Sequence, residues 1–278
     1  MFKRKITSFK FWIALVLGLG LLAGLWFTNS LRDKYVLPII MYHEVFPGSD
    51  PGYGLAVSTA TFERQMAFLK RHSYNVMPLS EAVGLIREKK KFPPRAVVIT
   101  FDDGYRNNYA YAFPILKKYG LSATLFIIVN EVGRRGASGE RDRLSWDEIK
   151  EMQESGLVTI GSHALGPDPL IKINSPQELK RQISGSKSAL EERLGRKIDF
   201  FSYPEGMFDG QIRQMVINSG YKAAVATNPG PKYPNDDLFA LKRIRISENA
   251  SNMFVFAVET SGYYTFMKEY KKRKNAKN

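Results

Sequence analysis

Residues 96–104, AVVITFDDG, constrain this chain more than any other stretch. Val97, Val98, Ile99 and Thr100 form an apolar, β-branched run that is too short for a helix, which predicts a buried strand. The run ends in two adjacent carboxylates, Asp102 and Asp103, and then Gly104, which permits a sharp turn. Neighbouring residues on an extended backbone point opposite ways, so one aspartate can face a metal while the other faces a water. Two carboxylates at a buried strand end are unfavourable unless a cation or a proton offsets them. A lone aspartate here would read as a helix cap. The pair before Gly104 reads as a site.

The same grammar recurs along the chain. Residues 36–41 (VLPIIM) run into Tyr42, His43 and Glu44, residues 158–162 end at His163, and residues 199–203 end in Tyr203, Pro204, Glu205 and Gly206. Residues 75–79, 123–129, 222–226 and 238–246 supply further strands. Helices are predicted between them: residues 60–72, 80–86 capped by Ser80, 107–119 ended by Gly120, a capping box opening at Ser145, a long helix from Ser175 to about residue 194, and 210–219. The Pro/Gly-rich residues 46–58 and the polar residues 131–143 read as loops. Strands alternating with helices predict an α/β protein with a parallel sheet closed as a distorted, TIM-like (β/α) barrel. Such barrels carry their chemistry at the C-terminal strand ends, where His43, Asp102, Asp103, His163 and Tyr203 all fall.

A chain of 278 residues, 44% apolar and 24% charged, holds one large globular domain or two small ones. Cysteine is absent, which removes disulfides, thiolate catalysis and thiolate metal sites. Lys3, Arg4, Lys5 and Lys10 precede an uncharged apolar run. They predict a basic cytoplasmic segment (1–10), a transmembrane signal anchor (11–28), a linker (29–35) and a domain outside a single-pass cell membrane. A cleaved signal peptide is the alternative, and the domain is exported under either reading. Gly20 and Gly24 form a small-xxx-small pair. The net charge is +14. Residues 267–278 crowd six lysines and arginines into a basic C-terminal tail that could meet anionic wall polymer or lipid, or be simply solvated. No nucleic-acid motif accompanies the charge, and no nucleic-acid partner is expected.

TFDDG at 100–104, GSH at 161–163 and SYPEG at 202–206 occur in this order, with MYHEV at 41–45, ATLFI at 123–127, LSWDEIKEM at 144–152 and LKRIRI at 241–246. Together they resemble the polysaccharide deacetylases of carbohydrate esterase family 4, the NodB-homology domain, over a region set at 36–266. The resemblance implies a distorted (β/α) barrel that removes acetyl groups from an N-acetylated polysaccharide such as peptidoglycan or exopolysaccharide, with a divalent metal ion, often zinc. By family position Asp102 is the general base on water, and Asp103 and His163 hold the metal. The turn at 203–206 contributes an oxyanion or substrate contact through Tyr203 and Glu205. Relatives acting on biofilm poly-N-acetylglucosamine are similar in carrying a tyrosine-histidine pair on the first strand, which assigns His43 as general acid. A part-buried histidine bonded to backbone is the other reading of His43, and His72 reads as an ordinary surface histidine.

Three departures from the family pattern stand out. The second motif has another histidine four residues after its first, and here that place holds Pro167. Asp168 follows as a substitute ligand or, between its two prolines, as a turn residue. Ser202 stands where many members have an arginine that orients the base, although relatives of the biofilm type also lack it, and Lys242 stands where many relatives have a late histidine. The function expected is metal-assisted N-deacetylation; the alternative is an impaired member that binds or assembles glycan.

Overall fold

The computed structural model describes residues 34–48, 54–136, 142–227 and 229–275, together with Leu15. The basic segment and the signal anchor expected at 1–10 and 11–28 lie outside the described residues, Leu15 apart. Among the described residues no helix is long and apolar enough to cross a membrane. The chain divides into residues 1–36 and 37–278, and the second unit holds every strand described.

The strands are β1 (Ile39–Tyr42), β2 (Glu44–Phe46), β3 (Ala56–Ser58), β4 (Asn75–Val76), β5 (Ala96–Phe101), β6 (Ala123–Ile127), β7 (Val158–Ser162), β8 (Phe200–Ser202), β9 (Ala223–Thr227) and β10 (Leu241–Arg245). Seven of them pair in parallel in the order β1-β10-β9-β8-β7-β6-β5, and β5 pairs back onto β1 to close a barrel. The two-residue β4 adds to the side of β5 instead of entering the ring. Closure explains why residues 96–101 are buried throughout: a strand covered by helices outside and by other strands inside has no wet face.

Alternation along the strands sorts side chains between two cores. Ile39, Val98, Phe126, Phe200, Val225 and Leu241 pack together inside the barrel, whereas Ile40, Ile99, Phe101, Leu125 and Phe201 pack against the helices. Carrying the period of two upward from the interior set reaches His43 after Met41, Asp102 after Thr100, Ser202 after Phe200 and Arg243 after Leu241. The barrel therefore delivers a site from four strands with no special device.

The elements follow their sequence signals with exceptions. Ser145 makes a full capping box with Glu148, and Ser175 caps a helix with Pro176 in its first turn. The helix expected from Ser80 begins at Leu79 after Pro78, with no side-chain cap. The helix expected over 107–119 opens with a π-turn, Asn108–Ala112, in which Phe113 N–H bonds the Asn108 carbonyl. Pro114 lacks the N–H that would reach back to Ala110, and its ring crowds that carbonyl, so the preceding turn widens. The loop expected over 46–58 contains β3, paired to β2 in parallel with Val45 and Val57 fully buried. At the chain's end Tyr264–Asn275 is helical, and Glu269 on it receives buried Lys242 at 2.7 Å.

Gly161 marks where the interior is tightest. A Cβ there would meet the Phe126 ring at 2.5 Å and the Phe200 carbonyl at 3.1 Å, whereas one at Gly166 would meet nothing closer than 3.7 Å. Gly161→Ala is expected to destabilise the barrel by about 1–3 kcal/mol in urea denaturation. Gly166→Ala should stay within about 0.5 kcal/mol of the parent.

Candidate active site

Asp102 is the centre of the barrel mouth. It is buried, and both its oxygens are taken by Arg243: Nη1 donates to Oδ1 at 2.7 Å and Nη2 to Oδ2 at 2.6 Å. Ser202 Oγ donates to Oδ2 at 3.2 Å and accepts from Arg243 Nη2 at 2.8 Å. Burial opposes ionisation of Asp102, but Arg243 and His163 outweigh it and hold the carboxyl far below the ordinary carboxylate range. The cation that the sequence demanded for this carboxylate is thus Arg243, on β10.

Asp103 leaves the strand in a left-handed conformation, φ +71°, which a side chain normally avoids. Arg143 holds that turn: its Nη1 donates to the Asp103 carbonyl at 2.9 Å, its guanidinium lies 3.9 Å from the Tyr105 ring centre, and Glu131 faces it at 3.4 Å. So placed, Asp103 Oδ1 stands 3.4 Å from His163 Nε2. His163 Nδ1 donates to the Ser202 carbonyl at 2.8 Å, which turns Nε2 toward the carboxylates. Burial works against a charged imidazole, and Asp102 and Asp103 outweigh it, raising His163 above the usual histidine value. For Asp103 burial is in turn outweighed by His163, and its carboxyl is lowered.

His43 closes the other side. It lines the same pocket, of about 300 Å³, as Asp102, Asp103, His163, Tyr203 and Glu205. Its Nδ1 is buried with no hydrogen-bond partner, and burial lowers its pKa, so the resting imidazole is neutral. Asn108 Nδ2 fixes the backbone here by donating to the His43 carbonyl at 2.9 Å.

The turn after β8 forms the remaining wall. Tyr203 is buried and its hydroxyl donates to the Phe239 carbonyl at 3.0 Å. The N–H groups of Tyr203, Gly206 and Met207 are committed to the carbonyls of Val225, Tyr203 and Pro204. Pro204 has no N–H, which leaves Glu205, in a left-handed conformation at φ +55°, as the turn's remaining amide. Gly206 presses on β9 so closely that a Cβ would meet Thr227 N at 2.6 Å.

Comparison with known proteins follows from this geometry. A sequence profile described as polysaccharide deacetylase matches residues 89–224. The Bacillus subtilis (strain 168) protein YxkH, which carries a polysaccharide deacetylase name, is 32% identical over 215 residues, 77% of this chain and 73% of that one. A poly-β-1,6-N-acetyl-D-glucosamine N-deacetylase of Staphylococcus aureus (strain MRSA252) is 31% identical over 202 residues, 70% of this chain and 69% of that one. The solved Streptococcus pyogenes deacetylase PplD, in complex with acetate, superposes with a TM-score of 0.70 at 27% identity, covering 80% of this chain and 97% of that one. The chain belongs to the polysaccharide deacetylase family.

Deacetylases of this family generally depend on a metal, and two of the residues present have the spacing for one. Two ligand atoms each about 2.0–2.2 Å from a tetrahedral zinc stand roughly 3.4 Å apart, which is the separation of Asp103 Oδ1 and His163 Nε2. The Nδ1–H bond to the Ser202 carbonyl is the outer support such a histidine needs. The pair fits a divalent cation completed by water. Pro167 lines the pocket with no donor to offer, and Asp168 is exposed and is not among the residues lining that pocket. Among the described residues no three His, Cys, Asp or Glu side chains gather as a metal cage.

The structure brings together His43, Asp102, Asp103, His163, Tyr203 and Glu205, and leaves Asp168 outside. Sequence reasoning missed Arg243, Arg143 and the active part played by Ser202. It gave the late position to Lys242, which faces the other way and pairs with Glu269. Strand alternation was the available signal, since of two adjacent basic residues on β10 one has to face the interior. Arg243→Met strands a buried carboxylate, and urea denaturation should show a loss of about 3–5 kcal/mol. The double variant with Asp102→Asn should recover part of that loss, giving a coupling energy in a double-mutant cycle.

Proposed function

We propose that this chain is an exported, membrane-anchored N-deacetylase of an N-acetylhexosamine polymer, either peptidoglycan or an exopolysaccharide. The observation that carries the reading is the convergence of Asp102, Asp103, His163 and His43 in one pocket at the mouth of a family barrel. The Staphylococcus aureus relative's name supplies the substrate class. Export and anchoring rest on the basic residues and apolar run at 3–28, and a contact with anionic wall polymer or lipid rests on the lysines of 268–277.

In this reading the sugar's acetamide enters the pocket with its carbonyl toward Asp103 and His163. A divalent metal, when bound by those two residues, supplies a Lewis acid for the carbonyl and the water. Asp102, held ionised by Arg243, accepts the proton of the attacking water. The Glu205 amide faces the oxygen that gains charge. As the C–N bond breaks the departing amine needs a proton; neutral His43, with Nδ1 unpartnered, is the group placed to relay to it the proton that Asp102 took from water, leaving acetate and free amine. Tyr203 shapes the wall.

One observation favours a second reading. With Pro167 in place of a ligand and Asp168 outside the pocket, a silent barrel could hold glycan without turnover. The test is acetate release from acetylated glucosamine oligosaccharides by chelator-stripped protein resupplied with zinc or cobalt. Deacetylation predicts release that returns with metal and falls at least about 100-fold in Asp102→Asn and in His43→Ala. No release from a folded protein, with glycan binding retained in calorimetry, selects the second reading.

A further inference from the structure

Arg243 points into the barrel, so its neighbour Lys242 on β10 points out of it. The C-terminal helix, Tyr264–Asn275, lies over Lys242. The residues it presents there are Thr265, Lys268, Glu269 and Lys272, the i, i+3, i+4, i+7 spacing of one helix face. Together with Gly230 and Pro231, from the loop after β9, they enclose a cavity of about 120 Å³. A helix face turned toward a protein is ordinarily apolar, and Tyr264, which packs on the core, obeys that rule. The face over the cavity does not: it carries a hydroxyl, two ammonium groups and a carboxylate.

The cavity holds more positive charge than its own residues balance. Lys242 is sealed in, its side chain 4% exposed, and its Nζ donates to Glu269 Oε1 at 2.7 Å. Among the described residues that is its one acceptor, although an ammonium has three N–H groups to place. Glu269 is neutralised by this bond. Lys268 and Lys272 stand at the exposed rim, and among the described residues neither is paired with a carboxylate. The Lys268 ammonium meets only the Tyr264 ring, 5.9 Å from its centre. Partial burial and then Arg245 lower the Lys268 pKa from the ordinary lysine value, with Lys272 acting the same way and Glu259 opposing them. Cations gathered so closely are the condition that a bound anion relieves.

The lining also selects the anion. Clefts that take whole small molecules measure roughly 300–1,000 Å³, so this cavity admits only a group of few atoms. Lysines bind phosphate as point charges, and a hydroxyl beside them adds a directed donor. We propose that this cavity is an anion site for a phosphate group, held by Lys242, Lys268 and Lys272 with the Thr265 hydroxyl donating. The site rests on the polyanion contact proposed above only for the source of the phosphate, a wall polymer or a lipid headgroup. It gives that contact a fixed seat between β10 and the C-terminal helix.

The experiment titrates inorganic phosphate into the full chain in neutral detergent and reads binding by calorimetry at constant ionic strength. The protein is stripped with chelator, so that no metal in the catalytic pocket offers phosphate a second place. The parent should bind phosphate saturably, and acetate at least about ten-fold more weakly. Lys268→Gln combined with Lys272→Gln should weaken phosphate binding at least about ten-fold. Lys271→Gln combined with Lys274→Gln removes the same charge from exposed positions of the same helix outside the cavity, and should match the parent. An unchanged melting transition checks the fold of each variant. Absence of saturable binding, equal affinity for acetate, or equal losses in the two pairs overturns the site. Competition then assigns the source. Displacement of the phosphate by soluble poly(glycerol phosphate) points to wall polymer, and displacement by micelles doped with phosphatidylglycerol points to lipid. Phosphate that is bound at the cavity and displaced by neither keeps the site and overturns the polyanion contact.

Discussion

The bond between Asp102 and Arg243 is the interaction on which the barrel mouth depends. It joins β5 to β10 through two charge-assisted hydrogen bonds and draws in Ser202 from β8. Because both partners are almost wholly removed from water, neither can lose the other without leaving a naked charge. That makes the pair less a source of net stability than a condition on geometry. Three strand ends have to be in register before the carboxylate can exist ionised in that place. The neighbouring carboxylate is held by a second arginine of different character, since Arg143 grips the backbone of Asp103 and leaves its oxygens free to face His163.

The division of labour between these arginines bears on one departure from the family pattern, Ser202. This chain supplies the guanidinium for Asp102 from β10, the strand beyond β9, and uses the Ser202 hydroxyl on β8 as a bridge. No such substitution is visible at the metal side. Pro167 lines the same pocket with no donor, and beside it Asp103 and His163 face each other with one oxygen and one nitrogen. A site of that kind leaves more of a cation's coordination to water and substrate than a closed three-ligand set does.

What could be read from the sequence divides along physical lines. Most of the barrel strands were legible because they are short apolar runs with a polar end, and Asp102, Asp103 and His163 were legible because they occupy those ends. Arg243 was not, since its partner lies 141 residues away and nothing local in LKRIRI distinguishes it from Lys242. The parallel pair of β2 and β3 was hidden inside a Pro/Gly-rich segment, and its three-residue strands are too short to show a period. The π-turn is signalled only by Pro114, and a proline announces that a turn is disturbed without saying that it widens. Asp168 looked serviceable by type and position, but a residue between two prolines goes where the loop takes it.

The seam of the barrel has a consequence for the order of events in the life of the chain. β1 pairs with both β5 and β10, and Tyr42 lies beside Phe101 in the register, so His43 and Asp102 leave neighbouring strands at the point of closure. The first strand made thus waits for the last, and Arg243 is among the last residues of the barrel to leave the ribosome. Until then Asp102 lacks the guanidinium that takes both its oxygens, and the growing chain cannot shut its own mouth. A polypeptide emerging in this order stays open along that edge throughout its synthesis and acquires its reactive centre in one terminal act of closure.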